Sequence, residues 1–262
     1  MTEAVPAIEH AEPTLRLRGV GRRFGGLLAV DDVTLEVARG ERRGILGPNG
    51  AGKTTLFNVI SGDLPASSGT VEMFGRDVTP IAARKRARMG LARTYQQSRL
   101  FLGLSVEDSI YLSILGVGAG HLRPVLLPRK DKAIREQARE AARRVAIDHR
   151  LDASVGELSH GEHRQVALAM ALAAEPRILM LDEPAAGLSR GERRLLTELL
   201  LGLDPEITLV LIEHDMDIAL VVAEQVTMMH DGRVIVEGTP DEIRANQLVH
   251  DLYLGRHHYA RE

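Results

Sequence analysis

Gly47-Pro48-Asn49-Gly50-Ala51-Gly52-Lys53-Thr54 fits the pattern G-x-x-x-x-G-K-S/T at every fixed position and follows an apolar approach, Gly44-Ile45-Leu46. Its glycines let the backbone curl so that successive N–H groups point inward, where phosphate oxygens can accept from them. A helix beginning near Gly52 adds the positive end of its dipole, and the run Thr55-Leu56-Phe57-Asn58-Val59-Ile60 is compatible with that helix. The stretch therefore predicts a strand, a phosphate-binding turn and a helix, with a nucleoside triphosphate as ligand. Gly47, Pro48, Asn49, Gly50, Ala51 and Gly52 form the cradle, and Lys53 is expected as an exposed point charge for the β- and γ-phosphates. Thr54 offers a hydroxyl to Mg²⁺, and Thr55 is placed to contact a neighbouring phosphate.

Outward from this loop, short apolar segments alternate with helical ones, the pattern of an α/β domain. Strands are expected at Leu15–Val20, Val33–Val37, Arg43–Leu46, Thr70–Phe74, Arg177–Leu181, Thr208–Ile212, Gln225–Met229 and Val234–Glu237. The first few, which precede the loop, are expected to form an antiparallel β flank, and those after it, separated by helices, a mainly parallel core sheet. The fold class is thus α/β, a P-loop NTPase. Between about 97 and 156 helices are expected at Ser105–Leu115 and Asp131–Ala146 with no convincing strand, which reads as an inserted α-helical subdomain. In the second helix Ile134, Ala138, Ala141, Ala142 and Val145 recur at helical spacing among charges, a stripe read as core. Gly116–Pro128 reads as a loop, residues 1–13 as a disordered tail and residues 14–262 as the ATP-binding domain.

Composition narrows the partners. There is no cysteine, so neither disulfides nor thiolate chemistry are expected. No apolar run approaches the roughly 20 residues needed to cross a bilayer. The formal net charge of -3 gives no basic footprint, so nucleic acid is not expected as a partner. The one local cluster, Arg84-Lys85-Arg86-Ala87-Arg88, reads as a solvated helix face.

A phosphate loop alone does not name a reaction. Ile178-Leu179-Met180-Leu181-Asp182-Glu183 adds a buried strand whose end delivers Asp182 to Mg²⁺, with Glu183 next in line as general base or water-positioning group. A guanine-reading Asn-Lys-x-Asp run is absent, which excludes the GTPase reading.

Leu158-Ser159-His160-Gly161-Glu162 resembles the signature motif of ABC-type ATPases, usually Leu-Ser-Gly-Gly-Gln. The order of motifs matches that family over about residues 14 to 255. Gln96, in Arg93-Thr94-Tyr95-Gln96, looks like the loop glutamine that touches metal and attacking water and joins the sheet to the helical subdomain, with Gln97 as a rival. His214, in Ile212-Glu213-His214-Asp215, looks like the switch histidine, and Phe24 takes the place of the aromatic that stacks on adenine. The resemblance implies ATP and Mg²⁺ as cofactors, catalytic roles for Glu183, His214 and Gln96, and Thr54, Gln96 and Asp182 around the metal. It also implies that Leu158, Ser159, His160, Gly161 and Glu162 grip the phosphate held by a second, head-to-tail ATP-binding subunit. His160, Glu162 and Ser189 depart from the family pattern. Ser159-x-x-Glu162, Ser189-x-x-Glu192 and Thr239-Pro240-x-Glu242 are also capping boxes, which would start helices whether or not ATP is bound.

Further stretches, Arg23-Phe24-Gly25-Gly26-Leu27, Ala92-Arg93-Thr94-Tyr95-Gln96, Asp182-Glu183-Pro184-Ala185-Ala186-Gly187-Leu188 and the tail Leu252-Tyr253-Leu254-Gly255, resemble the ATP-binding subunits of branched-chain amino-acid importers and their amide and urea relatives. That resemblance implies transmembrane permease subunits, indirectly a substrate-binding protein, and a peripheral place on the cytoplasmic face of the inner membrane. The alternatives are the ATPase of lipopolysaccharide export and a soluble ABC protein of translation or DNA repair. The surface between Gln96 and Gly156 is expected to dock the permease, with Leu100, Phe101, Leu102 and Leu104 lining a groove for a short helix.

Overall fold

The computed structural model describes residues 12–95, 100–117 and 131–251. Two antiparallel strands open it, β1 (Leu15–Phe24) and β2 (Leu27–Val37), and β3 (Arg42–Leu46) runs into the phosphate loop and α1 (Lys53–Ser61). There follow β4 (Ser68–Met73), β5 (Arg76–Asp77), α2 (Ala83–Arg88), β6 (Leu91–Arg93), α3 (Val106–Val117), α4 (Lys132–Arg144) and α5 (His160–Leu172). The last third is β7 (Ile178–Asp182), α6 (Arg190–Leu201), β8 (Thr208–Ile212), α7 (Met216–Val222), β9 (Gln225–His230), β10 (Arg233–Gly238) and α8 (Pro240–Ala245).

The strands form a core sheet in the order β10-β9-β3-β8-β7-β6, parallel except for β10, and an antiparallel flank in the order β2-β1-β4-β5. Position relative to the phosphate loop does not sort the strands as expected. β3 precedes the loop yet lies in the core, and β4 follows it yet pairs with β1, Leu15 opposite Met73. The physical reason is burial. In β4 only Val71 and Met73 are buried, suiting a sheet with one wet face, whereas every residue of β7 and β8 is buried, as a parallel strand covered on both sides requires. β5 and β6 are too short for their periodicity to be read.

Because strand side chains alternate, each core strand feeds two hydrophobic clusters. Leu179, Leu181, Leu209 and Leu211 face one way, against a layer that includes Val166, Ala169 and Leu172 of α5 and Leu196 and Leu200 of α6. Ile178, Met180, Val210 and Ile212 face the other, against Phe57 and Ile60 of α1 and the flank residues Leu15, Leu17 and Val71. The sheet is thereby clamped on both faces, and its strand ends hold their positions.

The helices α3, α4 and α5 pack together, and the stripe on α4 is core: Ala138, Ala141, Ala142 and Val145 are buried with Val106, Ile110 and Tyr111 of α3. Arg135 fastens this pair, donating to Glu107 at 2.9 Å and Asp108 at 3.0 Å with its guanidinium over the Tyr111 ring. The loop expected at Gly116–Pro128 falls almost wholly outside the described residues, as do the tail motif Leu252–Gly255 and most of the N-terminal tail.

All three expected capping boxes are formed, by Ser159/Glu162, Ser189/Glu192 and Thr239/Glu242, the last with Pro240 in the first turn. The basic run on α2 is not a uniformly solvated face. Arg84, Lys85 and Arg88 are exposed, but Arg86 is buried and donates to the carbonyls of Ile81, Val59, Ile60 and Thr79. Two of these carbonyls belong to the last turn of α1, where a cation also meets the negative end of the helix dipole.

Candidate active site

The phosphate loop is shaped by its glycines. A Cβ at Gly47 would lie 2.2 Å from the Met229 carbonyl oxygen, and one at Gly52 would lie 2.3 Å from that of Ala29. Both residues, with Gly50, take positive φ, so only glycine satisfies the space and the backbone together. The loop is braced from outside, the Gly232 N–H donating to the Ala51 carbonyl at 3.1 Å and the Asp31 N–H to the Gly232 carbonyl at 2.8 Å. Gly52 is the N-cap of α1, so the first helical N–H groups open onto the loop.

Lys53 departs from the expectation of an exposed ligand, for it is only 5% accessible. Its long stem curls back over its own loop, and Nζ donates to the carbonyls of Gly47 at 2.6 Å and Pro48 at 3.0 Å. Burial lowers its pKa, and Glu183 and Asp182 act against that shift. Thr54 is exposed and Thr55 half-buried beside it. Phe24, 42% exposed, stands at the end of β1 with the Arg22 guanidinium 4.6 Å from its ring centroid.

Adjacent parallel strands bring the acids to this loop. β3, β8 and β7 lie side by side, so their carboxyl ends carry the phosphate loop, His214 and the Asp182-Glu183 pair to one edge of the sheet. Asp182 is 2% exposed. Its Oδ2 accepts from Arg93 Nη2 at 3.0 Å, and its Oδ1 has no hydrogen-bond partner among the described residues. Burial pushes its pKa up, which Arg93 opposes. Glu183 turns away from the strand with a φ of 47°, its N–H donating to the Ile212 carbonyl at 2.9 Å. That left-handed backbone is costly for a residue with a Cβ. His214 Nδ1 stands 4.0 Å from Glu183 Oε2.

The donor set fits Mg²⁺. A buried carboxylate oxygen without a partner is costly, and a hard cation is a group that would satisfy it. Among the described residues there is no cluster of three or more His, Cys, Asp or Glu side chains.

The signature residues occupy a different helix N-terminus. Ser159 caps α5, Leu158 is buried beneath it, and Gly161 packs so closely on Glu192 that a Cβ would lie 2.0 Å from Oε1. The departures from the family pattern find local uses. Glu162 turns back, its Oε2 accepting from the Ser159 N–H at 2.7 Å and its Oε1 pairing with Arg150 at 3.2 Å, which holds its carboxyl below the usual range. His160 Nε2 lies 3.2 Å from the Ala186 carbonyl, tying the signature to the turn after Glu183, and Ser189 caps α6.

Three residues here were not singled out from the sequence. Glu213, fully buried, accepts from the Ala185 N–H at 2.9 Å and the His214 N–H at 3.2 Å, fixing the turn after Glu183 and the switch position together. Burial raises its pKa. Arg164 on α5 is a half-buried cation that feels Glu213, Glu183 and Asp182, and Arg93 clamps Asp182. Gln96 and its rival Gln97 lie outside the described residues.

Residues 30–186 match the family described as ABC transporter. The chain belongs to that family. A second match, over residues 233–259, is to the branched-chain amino acid ATP-binding cassette transporter. The high-affinity branched-chain amino acid transport ATP-binding protein LivG of Salmonella typhimurium is 34% identical over 252 residues, which cover 94% of this chain and 99% of that protein. The corresponding protein BraF of Pseudomonas aeruginosa is equally similar over the same shares. Among solved structures, a nucleotide-free ATP-binding cassette from an ABC transporter superposes with a TM-score of 0.82 at 28% identity, covering 92% of this chain and 98% of that one. A cassette in its ADP conformation superposes with a TM-score of 0.82 at 29% identity, covering 94% and 100%. The ABC cassette is thus an ATP-hydrolysing enzyme of the P-loop α/β class, as its motifs imply. No helix among the described residues is long and apolar enough to cross a membrane.

Proposed function

We propose that this cassette is the ATPase of an importer for branched-chain or related hydrophobic amino acids, working as a head-to-tail pair on the cytoplasmic face of permease subunits that a substrate-binding protein serves. The observation that carries the reading is the cluster at one sheet edge, Lys53, Asp182, Glu183 and His214, in a chain whose far end matches the branched-chain transporter family. That match favours import over lipopolysaccharide export. On this reading the loop N–H groups and Lys53 hold the ATP phosphates, Phe24 stacks on adenine, and Glu183 takes a proton from the attacking water. Mg²⁺, held by Asp182 and Thr54, supplies charge to the phosphates when bound. His214 steadies the water or the departing phosphate. Ser159 and the N–H groups at the start of α5 face the nucleotide of the second copy, and the helix N-terminus favours that anion.

Permease docking is assigned to a groove of about 400 Å³ between α2 and β6 on one side and α3 and α5 on the other. Leu100 lines it with Tyr95, Leu91, Val117 and Met170. Phe101 and Leu102 are not lining residues but follow on the open surface, 60% and 59% exposed, and Leu104 is half-buried. The segment is pinned by its backbone, the Leu102 carbonyl accepting from Ser154 Oγ at 2.9 Å and the Gly156 N–H at 3.0 Å. Two adjacent large apolar side chains in water on a pinned segment suit the hydrophobic face of a short helix.

Phe101→Asp tests this placement. The isolated subunit should melt as wild type and bind ATP normally, because the ring is exposed, while co-purification with the permease and uptake of labelled leucine should both fall at least tenfold. A lowered melting temperature with intact assembly would instead make Phe101 part of the fold.

A further inference from the structure

Arg93 ends the short strand β6, directly beside β7. Its side chain is only 4% exposed, and it gathers groups from α1, the turn after it and β7. Nη1 donates to Asn58 Oδ1 at 2.7 Å, to Ser61 Oγ at 2.9 Å and to Asp63 Oδ2 at 3.1 Å, all on or just after α1. Nη2 donates to Asp182 Oδ2 at 3.0 Å at the end of β7. The guanidinium also lies 4.7 Å from the Tyr95 ring centroid and 5.7 Å from that of Phe57, which hold its plane. Such a side chain has little freedom to turn, so the carboxylate it grips has little either.

The two oxygens of Asp182 therefore differ. One is satisfied by Arg93, and the other is buried without a partner among the described residues. We infer that Arg93 is a positioning residue for the cation: it binds Asp182 by Oδ2 and so turns Oδ1 toward the metal. This rests on the assignment of Asp182 as a metal ligand. Outer-shell partners of this kind orient the ligand and set its basicity, and their loss costs roughly 10- to 100-fold in metal affinity. Arg93 and Tyr95 also line the groove described above.

The test is Mn²⁺ binding to the full chain in the presence of a non-hydrolysable ATP analogue, followed by electron paramagnetic resonance, with nucleotide affinity in EDTA as the control. Arg93→Met should bind Mn²⁺ about tenfold more weakly, with metal-free nucleotide affinity within about twofold of wild type. Arg93→Lys keeps the charge and one bond but not the fork, and should fall between. If Arg93→Met does not fold, the Lys variant alone decides, through a several-fold loss at unchanged melting temperature. Unchanged Mn²⁺ affinity in a folded variant, with only the melting temperature lowered, overturns the inference and leaves Arg93 a strut between α1 and β7. Asp182→Asn is measured alongside: unchanged Mn²⁺ affinity there removes the assignment on which the inference stands.

Discussion

Replacing Glu183 by glutamine is expected to stop turnover while leaving ATP bound. Glu183 has a left-handed backbone just after β7, and its carboxylate lies 4.0 Å from His214. An amide of the same shape keeps that geometry but cannot take a proton from water. Loss of a general base removes about 10²- to 10⁴-fold of rate. Nothing in the phosphate cradle changes, so nucleotide should persist, and two copies should remain closed on two ATP molecules. Size-exclusion chromatography with ATP and Mg²⁺ should show twice the monomer mass, and removal of nucleotide should reverse it. A variant that stays monomeric with ATP bound counts against the head-to-tail pair.

The second large effect is at Lys53. Its Nζ donates to the carbonyls of Gly47 and Pro48. An incoming phosphate oxygen offers a stronger, charged acceptor to the same ammonium. Lys53→Ala deletes that charge, and removing one preorganised donor to a transferring group costs on the order of 10²- to 10³-fold in rate. ATP hydrolysis should fall to background, and equilibrium dialysis should show weakened ATP binding. Because Lys53 is buried, the substitution also leaves two carbonyls without their donor, so the melting temperature should drop slightly with the far-ultraviolet spectrum unchanged. Hydrolysis above background in the folded variant contradicts the assignment.

What could be read in the sequence was what is local. The loop Gly47–Thr54 carries its glycines, lysine and threonine within a stretch of eight residues, and each capping box lies within four, so pattern and structure coincide. The stripe on α4 was legible for the same reason, since helical spacing alone defines it. Long-range partnerships were not. Arg86 in a basic run looks solvated until α1 is folded against it, and Arg93 meets Asp182 only because β6 and β7 are neighbours. Glu213 beside a histidine gives no sign that it will hold the backbone of Ala185. Position along the chain is a poor guide to which sheet a strand joins, since β4 follows the phosphate loop yet pairs with β1. The alternation of buried Val71 and Met73 with Thr70 and Glu72 was the better guide, because it reports how many faces of a strand are covered. The burial of Lys53 follows from its length, since a stem long enough to reach a phosphate can also fold back on its own loop.

On the function proposed above, ATP is hydrolysed in a site completed by a second copy. Phosphate release by the purified subunit in Mg-ATP, followed as a function of protein concentration, tests it most directly. The rate should rise as the square of concentration in the dilute range, where pairs are scarce, then become linear once pairs predominate. A rate strictly proportional to concentration from the most dilute sample upward would contradict it.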